Sequence, residues 1–200
     1  MRLAGALLLL LALPAHADEL LGSILKRLSE PAGIRAQFVQ ERFIADLERP
    51  TTSRGRITVS RKDGVLWQIE SPVKVTLAFT PEGIIQTGPD GVRRRQGERR
   101  GAVETEIARV MQGILGADEQ ALKANFDARA TGTLERWTVR LTPRAREMAR
   151  FLRQVRLDGG RRLDAIEIEE TTGSHTAIRM REFVVAERLA PEELAHFKAP

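Results

Sequence analysis

Beyond residue 33 most of the chain alternates apolar and polar residues in short runs separated by turn signals, a pattern that an antiparallel sheet with one buried face satisfies. The clearest instance is Gly55 to Ser60 and Val65 to Glu70, which flank Lys62-Asp63-Gly64. An Asp-Gly pair between two such runs predicts a hairpin turn with positive φ at the glycine, and the alternation puts Val65, Trp67 and Ile69 on one face. Ile34, Ala36 and Phe38 form an earlier run that reaches toward Phe43, and Val73, Val75, Leu77 and Phe79 form a later one. Pro81-Glu82-Gly83 turns the chain into Ile84 to Thr87, and Gly88-Pro89-Asp90-Gly91 is the next turn. The alternation returns in Leu134 to Thr142, Phe151 to Leu157, Leu163 to Ile168 and Thr176 to Val185. Connections this short suit hairpins rather than parallel crossovers, which need a dozen or more residues.

Four stretches read as helical. Leu20, Leu21, Ile24, Leu25 and Leu28 share one helical stripe, with acids before it and bases at its end, and Pro31 and Gly33 stop it. Val103, Ile107, Val110, Met111, Ile114 and Leu115 follow the same spacing, and Asp118 caps a short helix through Leu122. Pro191 to Phe197 is a last helical turn. These helices are too few to cover a long meander as a flat layer, so the sheet is expected to curl. About ten strands closing into an incomplete barrel would let the helices sit inside it or across its mouth. Periodicity leaves open whether the interior is packed solid or keeps a cavity.

The leader sets the compartment. Arg2, an apolar run from Leu3 to Leu13 and the triplet Ala15-His16-Ala17 read as a secretory signal, residues 1–17, with one soluble domain over residues 18–200. The apolar run is too short to span a bilayer. An exported chain works without ATP. The mature chain carries 31 basic and 27 acidic residues, a net of +4, spread along its length rather than gathered in a nucleic-acid arm. With no cysteine, its stability must come from a hydrophobic core, and thiol redox chemistry and cysteine metal sites are excluded.

Several of these residues fall in a familiar order. The N-terminal helix is followed by Arg35-Ala36-Gln37-Phe38-Val39-Gln40, then Ser53-Arg54-Gly55, then Arg61 six positions before Trp67 and Pro72 five positions after it. With Leu141-Thr142-Pro143-Arg144 and the closing hairpins, this resembles the LolA-type periplasmic lipoprotein carriers over most of the mature chain. The resemblance implies a mainly β fold with α: a half-open antiparallel β-barrel with a helical lid enclosing a hydrophobic cavity. It implies a monomeric carrier that takes the acyl chains of lipoproteins from an inner-membrane ABC exporter to an outer-membrane acceptor, without cofactor or metal. Arg61 matches the arginine that latches the lid by donating to backbone carbonyls. Phe38, Leu66, Trp67, Val75, Leu77, Ile107 and Met111 would line the cavity. The chain diverges at Thr80-Pro81-Glu82-Gly83-Ile84-Ile85, where relatives turn into aromatic residues, which implies a divergent member with a different lipid cargo.

Each of these residues also has an ordinary reading. Arg61 sits on a hairpin shoulder, where arginines are commonly solvated, and Trp67 and Trp137 are core residues by default. Arg93, Arg94 and Arg95, with Arg99 and Arg100 close behind, form either a docking patch for an acidic partner or anionic headgroups, or a solvated loop. Catalysis has little support: after the leader only His175 and His196 remain, with no nucleophile motif near either. Asp164, Glu167, Glu169 and Glu170 are acidic, but strand alternation separates Asp164 from Glu167 and Glu169. The alternatives to a carrier are a lipid-binding envelope-stress sensor and, less favoured by the residues, a lipid hydrolase.

Overall fold

The computed structural model describes residues 15–45, 47–80, 83–96 and 119–198. Helix α1 (Ala15–Ser29) leads into β1 (Gly33–Phe43), β2 (Thr51–Ser60), β3 (Gly64–Ser71), β4 (Val75–Thr80), β5 (Gly83–Thr87) and β6 (Arg93–Gln96). After α2 (Glu119–Asn125) come β7 (Phe126–Thr133), β8 (Arg136–Pro143), α3 (Arg146–Ala149), β9 (Leu152–Gly159), β10 (Leu163–Glu170), β11 (His175–Val185) and α4 (Pro191–Phe197). The expected helix over 103–115 and its residues Ile107 and Met111 lie outside the described residues, as do Asp118, Arg99 and Arg100.

The eleven strands of the described residues form one antiparallel sheet, in the order β6-β5-β4-β3-β2-β1-β11-β10-β9-β8-β7. Sequential strands pair with one another except β6 and β7, which are the two edges, and at the centre β1 takes both β2 and β11 as neighbours. The β2–β3 turn forms as the Asp-Gly signal predicts: Gly64 has φ +118, and Asp63 is held by its carboxylate accepting from Ser60 Oγ at 2.7 Å. Two strands, β6 and β7, do not show in the apolar alternation. The first has no apolar residue to alternate, and the second offers mainly alanines and a phenylalanine to the core.

One face of the sheet holds the main core. Ala36 and Phe38 on β1, Ile57 and Val59 on β2, Val65 and Trp67 on β3 and Leu77 and Phe79 on β4 are buried there. Trp137, Val139 and Leu141 on β8, with Val155, Leu157, Ile166, Ile168 and Ile178 on the following strands, continue the same cluster. Helix α1 lies on this inner face and buries Leu21, Ile24, Leu25 and Leu28. Its apolar stripe supplies the cover that the alternating strands require. The helix abuts β7, yet Leu28 at its far end shares a cleft with Ile57 on β2. These strands are six neighbours apart, about 29 Å on a flat sheet, whereas a helix of this length spans about 22 Å, so the sheet bends round the helix.

The opposite face carries a second, smaller cluster of Leu66, Ala78 and Ile85, with Phe197 of α4 packed on it. Pro191 at the start of α4 and Glu193 two positions later set its first turn, the Glu193 carboxylate accepting from Ala190 N at 2.7 Å.

Candidate functional site

A cleft of about 360 Å³ opens on the inner face, where the end of α1 meets β1, β2, β10 and β11. That volume falls in the range of small-molecule sites, about 300–1,000 Å³. Ile34 and Ala36 from β1, Ile57 and Val59 from β2, Leu163 from β10 and Met180 from β11 make its apolar wall, with Leu28 above them. Strand alternation explains the wall: these are inward positions on central strands, left uncovered where Pro31 and Gly33 end the helical segment. At the mouth Phe183 is half-buried, and Val184 and Val185 are 59% and 65% exposed. Three arginines, Arg27, Arg161 and Arg162, and one carboxylate, Glu30, also border it.

Polar ties hold α1 over this face at both ends. Lys123 Nζ bridges Asp18 at 2.9 Å and Glu119 at 2.8 Å, joining the start of α1 to α2. Near its end, Arg27 Nη1 donates to Leu134 O at 2.7 Å in the β7–β8 turn. The two carboxylates raise the Lys123 pKa above the usual lysine value, chiefly through their hydrogen bonds.

Phe38, Trp67, Val75 and Leu77 all stand on the inner face, and the Phe38 and Trp67 rings pack with centroids 4.4 Å apart. They belong to filled core, and none of them borders the cleft. The resemblance puts Leu66 with Trp67 on the cavity wall, and the structure corrects that placement. Adjacent strand residues point to opposite faces, so Leu66 lies on the outer face under Phe197. Arg61 is exposed at the β2–β3 turn, where its backbone N–H donates to Ala32 O at 3.1 Å, and its guanidinium has no ion pair among the described residues.

The arginine run is divided among three roles. Arg93 Nη2 donates to His196 O at 3.2 Å and to Lys198 O, so it caps the carbonyl end of α4 instead of standing free for a partner. Arg94 pairs with Asp90 at 3.1 Å, and Arg95 is exposed. Burial, and then the neighbouring Arg93 charge, lower the His196 pKa below the ordinary histidine value. Elsewhere on α4, Glu193 accepts from Arg35 through both oxygens, at 2.7 and 2.5 Å, and from Thr58 Oγ1 at 3.1 Å. The Arg35 bonds lead in holding the Glu193 carboxyl down at about 2. His175 stacks on Phe43 with ring centroids 4.3 Å apart, at the other end of β1. Among the described residues no group of three or more His, Asp and Glu is arranged to hold a metal ion.

An apolar cleft on the concave side of a bent antiparallel sheet, partly covered by an amphipathic helix, suits an apolar ligand. The family model for LolA-like outer membrane lipoprotein carrier proteins matches residues 12–181. The chain belongs to the LolA-like family. It is a divergent member: no curated protein matches it significantly in sequence. A LolA superfamily protein from Nitrosomonas europaea is similar in structure, with TM-score 0.51 and 11% identity over 89% of this chain and 96% of the other. A domain assigned to outer membrane lipoprotein sorting in Vibrio parahaemolyticus has TM-score 0.54 and 9% identity, covering 90% of this chain and 96% of the other. A DUF1329 family protein from Desulfovibrio piger has TM-score 0.54 and 12% identity, covering 92% and 97%. At these identities the likeness is one of fold, a single large open antiparallel sheet. The LolA-like family is one of carriers and not of enzymes, and no helix among the described residues is long and apolar enough to cross a membrane.

The cleft combines residues that sequence reasoning did not group. Ile34, Ile57 and Val59 are visible in the alternation, but their meeting with Leu163 and Met180 depends on the pairing of β1 with β11. Arg161 and Arg162 follow the Gly159-Gly160 pair, a turn signal that carries no sign of the rim of a site.

Proposed function

We propose that this chain is an exported carrier that takes the acyl chains of a lipoprotein, or of a related lipid, into the inner-face cleft and moves them from the inner to the outer membrane. Residues 1–17 act as the export signal and are removed, leaving a domain over 18–200 to work in the periplasm. The observation that carries this reading is the apolar cleft beneath the end of α1, in a chain of the LolA-like family.

Binding needs no catalytic group. Each methylene removed from water contributes about 0.8 kcal/mol, so a wall of aliphatic side chains suffices, and handing cargo to an acceptor requires only that the acceptor bind more tightly. Helix α1 acts as part of the helical lid of a half-open barrel. Its displacement would extend the cleft along the inner face toward Phe38, Trp67, Val75 and Leu77. Ile107 and Met111 would join that wall from the 103–115 stretch. Arg61, whose guanidinium is uncommitted among the described residues, latches the lid in the empty state. The exposed Arg95, with Arg94, meets an inner-membrane exporter or outer-membrane acceptor.

The test is extraction of the protein purified from the periplasm, followed by mass spectrometry of what it carries. An acyl-bearing molecule in stoichiometric amount supports the carrier. A protein that emerges bare, and takes up no acylated peptide offered in detergent-free exchange, contradicts it.

A further inference from the structure

The mouth of the cleft is more basic than its interior requires. Arg161 and Arg162 are exposed at the β9–β10 turn, where no ion pair to a described residue is formed by either. Arg162 lies over the Phe183 ring at 5.2 Å, so its charge is aimed along the rim of the cleft. Arg27 stands on α1, its guanidinium satisfied on one side by Leu134 O and carrying no carboxylate partner among the described residues. The cleft itself is bordered by these three guanidiniums and one carboxylate, Glu30; Asp164 beside Arg162 and Glu135 in the neighbouring β7–β8 turn are near but do not border it.

The turn bearing the two arginines is held in place. Trp137 Nε1 donates to Gly160 O at 2.8 Å, a buried bond, and Gly160 N donates to Arg162 O at 3.0 Å. A Cβ at Gly159 would stand 2.6 Å from the Trp137 ring, so only glycine lets the hairpin settle on the indole. Leu134, which accepts from Arg27, and Glu135, whose carbonyl crowds Gly160, belong to the β7–β8 turn. All three arginines are therefore referenced to one rigid corner of the sheet, beside an apolar wall.

We propose that the cleft selects an acyl chain that ends in an anionic headgroup, a carboxylate or a phosphate, with Arg161 and Arg162 supplying the charge that recognises it, Arg27 assisting from α1, and Trp137 acting as the positioning residue for their turn. The inference rests on the carrier reading, whose cleft it uses, and adds the class of ligand. The chain lies on Ile34, Ile57, Val59 and Met180, and the headgroup stays at the water-facing rim, so no charge is buried unpaired.

The experiment is fluorescence titration with cis-parinaric acid and with its methyl ester, which share a chain and differ in charge. The acid is expected to bind about tenfold more tightly than the ester at low salt, a preference that falls as salt rises. Arg161→Gln with Arg162→Gln is expected to abolish the preference while leaving ester affinity within about twofold, and Trp137→Phe, which keeps a ring and loses the indole N–H, to weaken it in part. Displacement of the bound acid by palmitate or by lysophosphatidic acid distinguishes carboxylate from phosphate, and either winning over zwitterionic lysophosphatidylcholine supports the shared chemistry. Equal affinity of the wild-type protein for acid and ester, or a preference that survives both arginine substitutions in a folded protein, overturns the headgroup inference and leaves the carrier reading standing. Binding of neither probe overturns the carrier reading itself.

Discussion

On the inner face of the sheet α1 is held mainly by an apolar stripe, Leu21, Ile24, Leu25 and Leu28, whereas on the outer face α4 is held by a set of directed polar bonds around a small apolar patch. Glu193 takes both nitrogens of a forked Arg35 contact and a hydroxyl from Thr58, and Arg93 closes the far end of the helix. The two coverings differ in what they permit. Apolar contact is non-directional and tolerates a gap, and the inner face has one at the end of α1; a bidentate ion pair fixes one geometry. A carrier needs one wall that stays put and one cover that yields, and the two faces divide that work.

The comparison breaks first if the inner face is not packed where it looks packed. Phe38→Ala is expected to cost about 3–5 kcal/mol in urea denaturation, because Phe38 is fully buried against Trp67. A loss below about 1 kcal/mol would place Phe38 on an open cavity wall and enlarge the acyl site. On the outer face Glu193→Ala is expected to cost about 2 kcal/mol, since it leaves Arg35 and Thr58 without their shared acceptor. The same clasp carries a pH signature. The folded Glu193 carboxyl is held at about 2, below its ordinary 4.5, so its contribution is whole above about pH 5 and drains away as pH falls from there toward 2. Urea midpoints of the wild type should fall over that window more steeply than those of Glu193→Gln, and parallel curves would remove the clasp from the account.

Smaller effects follow. Arg93→Ala is expected to cost about 1 kcal/mol and to raise hydrogen exchange at the end of α4, with no effect on the core. If it weakens partner binding instead and leaves α4 protected, Arg93 is a docking residue after all. Arg61→Leu should change stability by less than about 0.5 kcal/mol, since the side chain is exposed, yet increase cargo retention if Arg61 latches the lid. Unchanged uptake and release would remove that role.

Most strands were legible because a half-buried antiparallel sheet writes its faces into the sequence with period two. Ile34 to Phe38, Val65 to Ile69 and Leu134 to Thr142 all announce themselves this way. The strand β6 escaped because Arg93-Arg94-Arg95 pairs with β5 and offers no apolar residue to alternate. The strand β7 escaped because Ala128 and Ala130 are small where α1 approaches, and small residues carry a weak pattern. Leu66 shows the opposite error: its hydrophobicity was visible, but the second apolar cover, Phe197, lies more than a hundred residues away. The cleft was hidden for the same reason. Its wall joins the first strand to the last, and the register that brings Ile34 opposite Val185 is a property of the order of the strands in the sheet.

The central claim is that acyl cargo occupies the cleft between the end of α1 and strands β1, β2, β10 and β11. Native mass spectrometry of the wild type and of Ile34→Trp, loaded side by side with the same acylated peptide, tests it most directly. Ile34 is half-buried on the cleft wall, so an indole there fills the space with limited disturbance of the core. One bound peptide per wild-type chain, and loss of most of it in a variant whose circular dichroism is unchanged, is the predicted result. Full occupancy in the folded variant would place the cargo elsewhere and contradict the account.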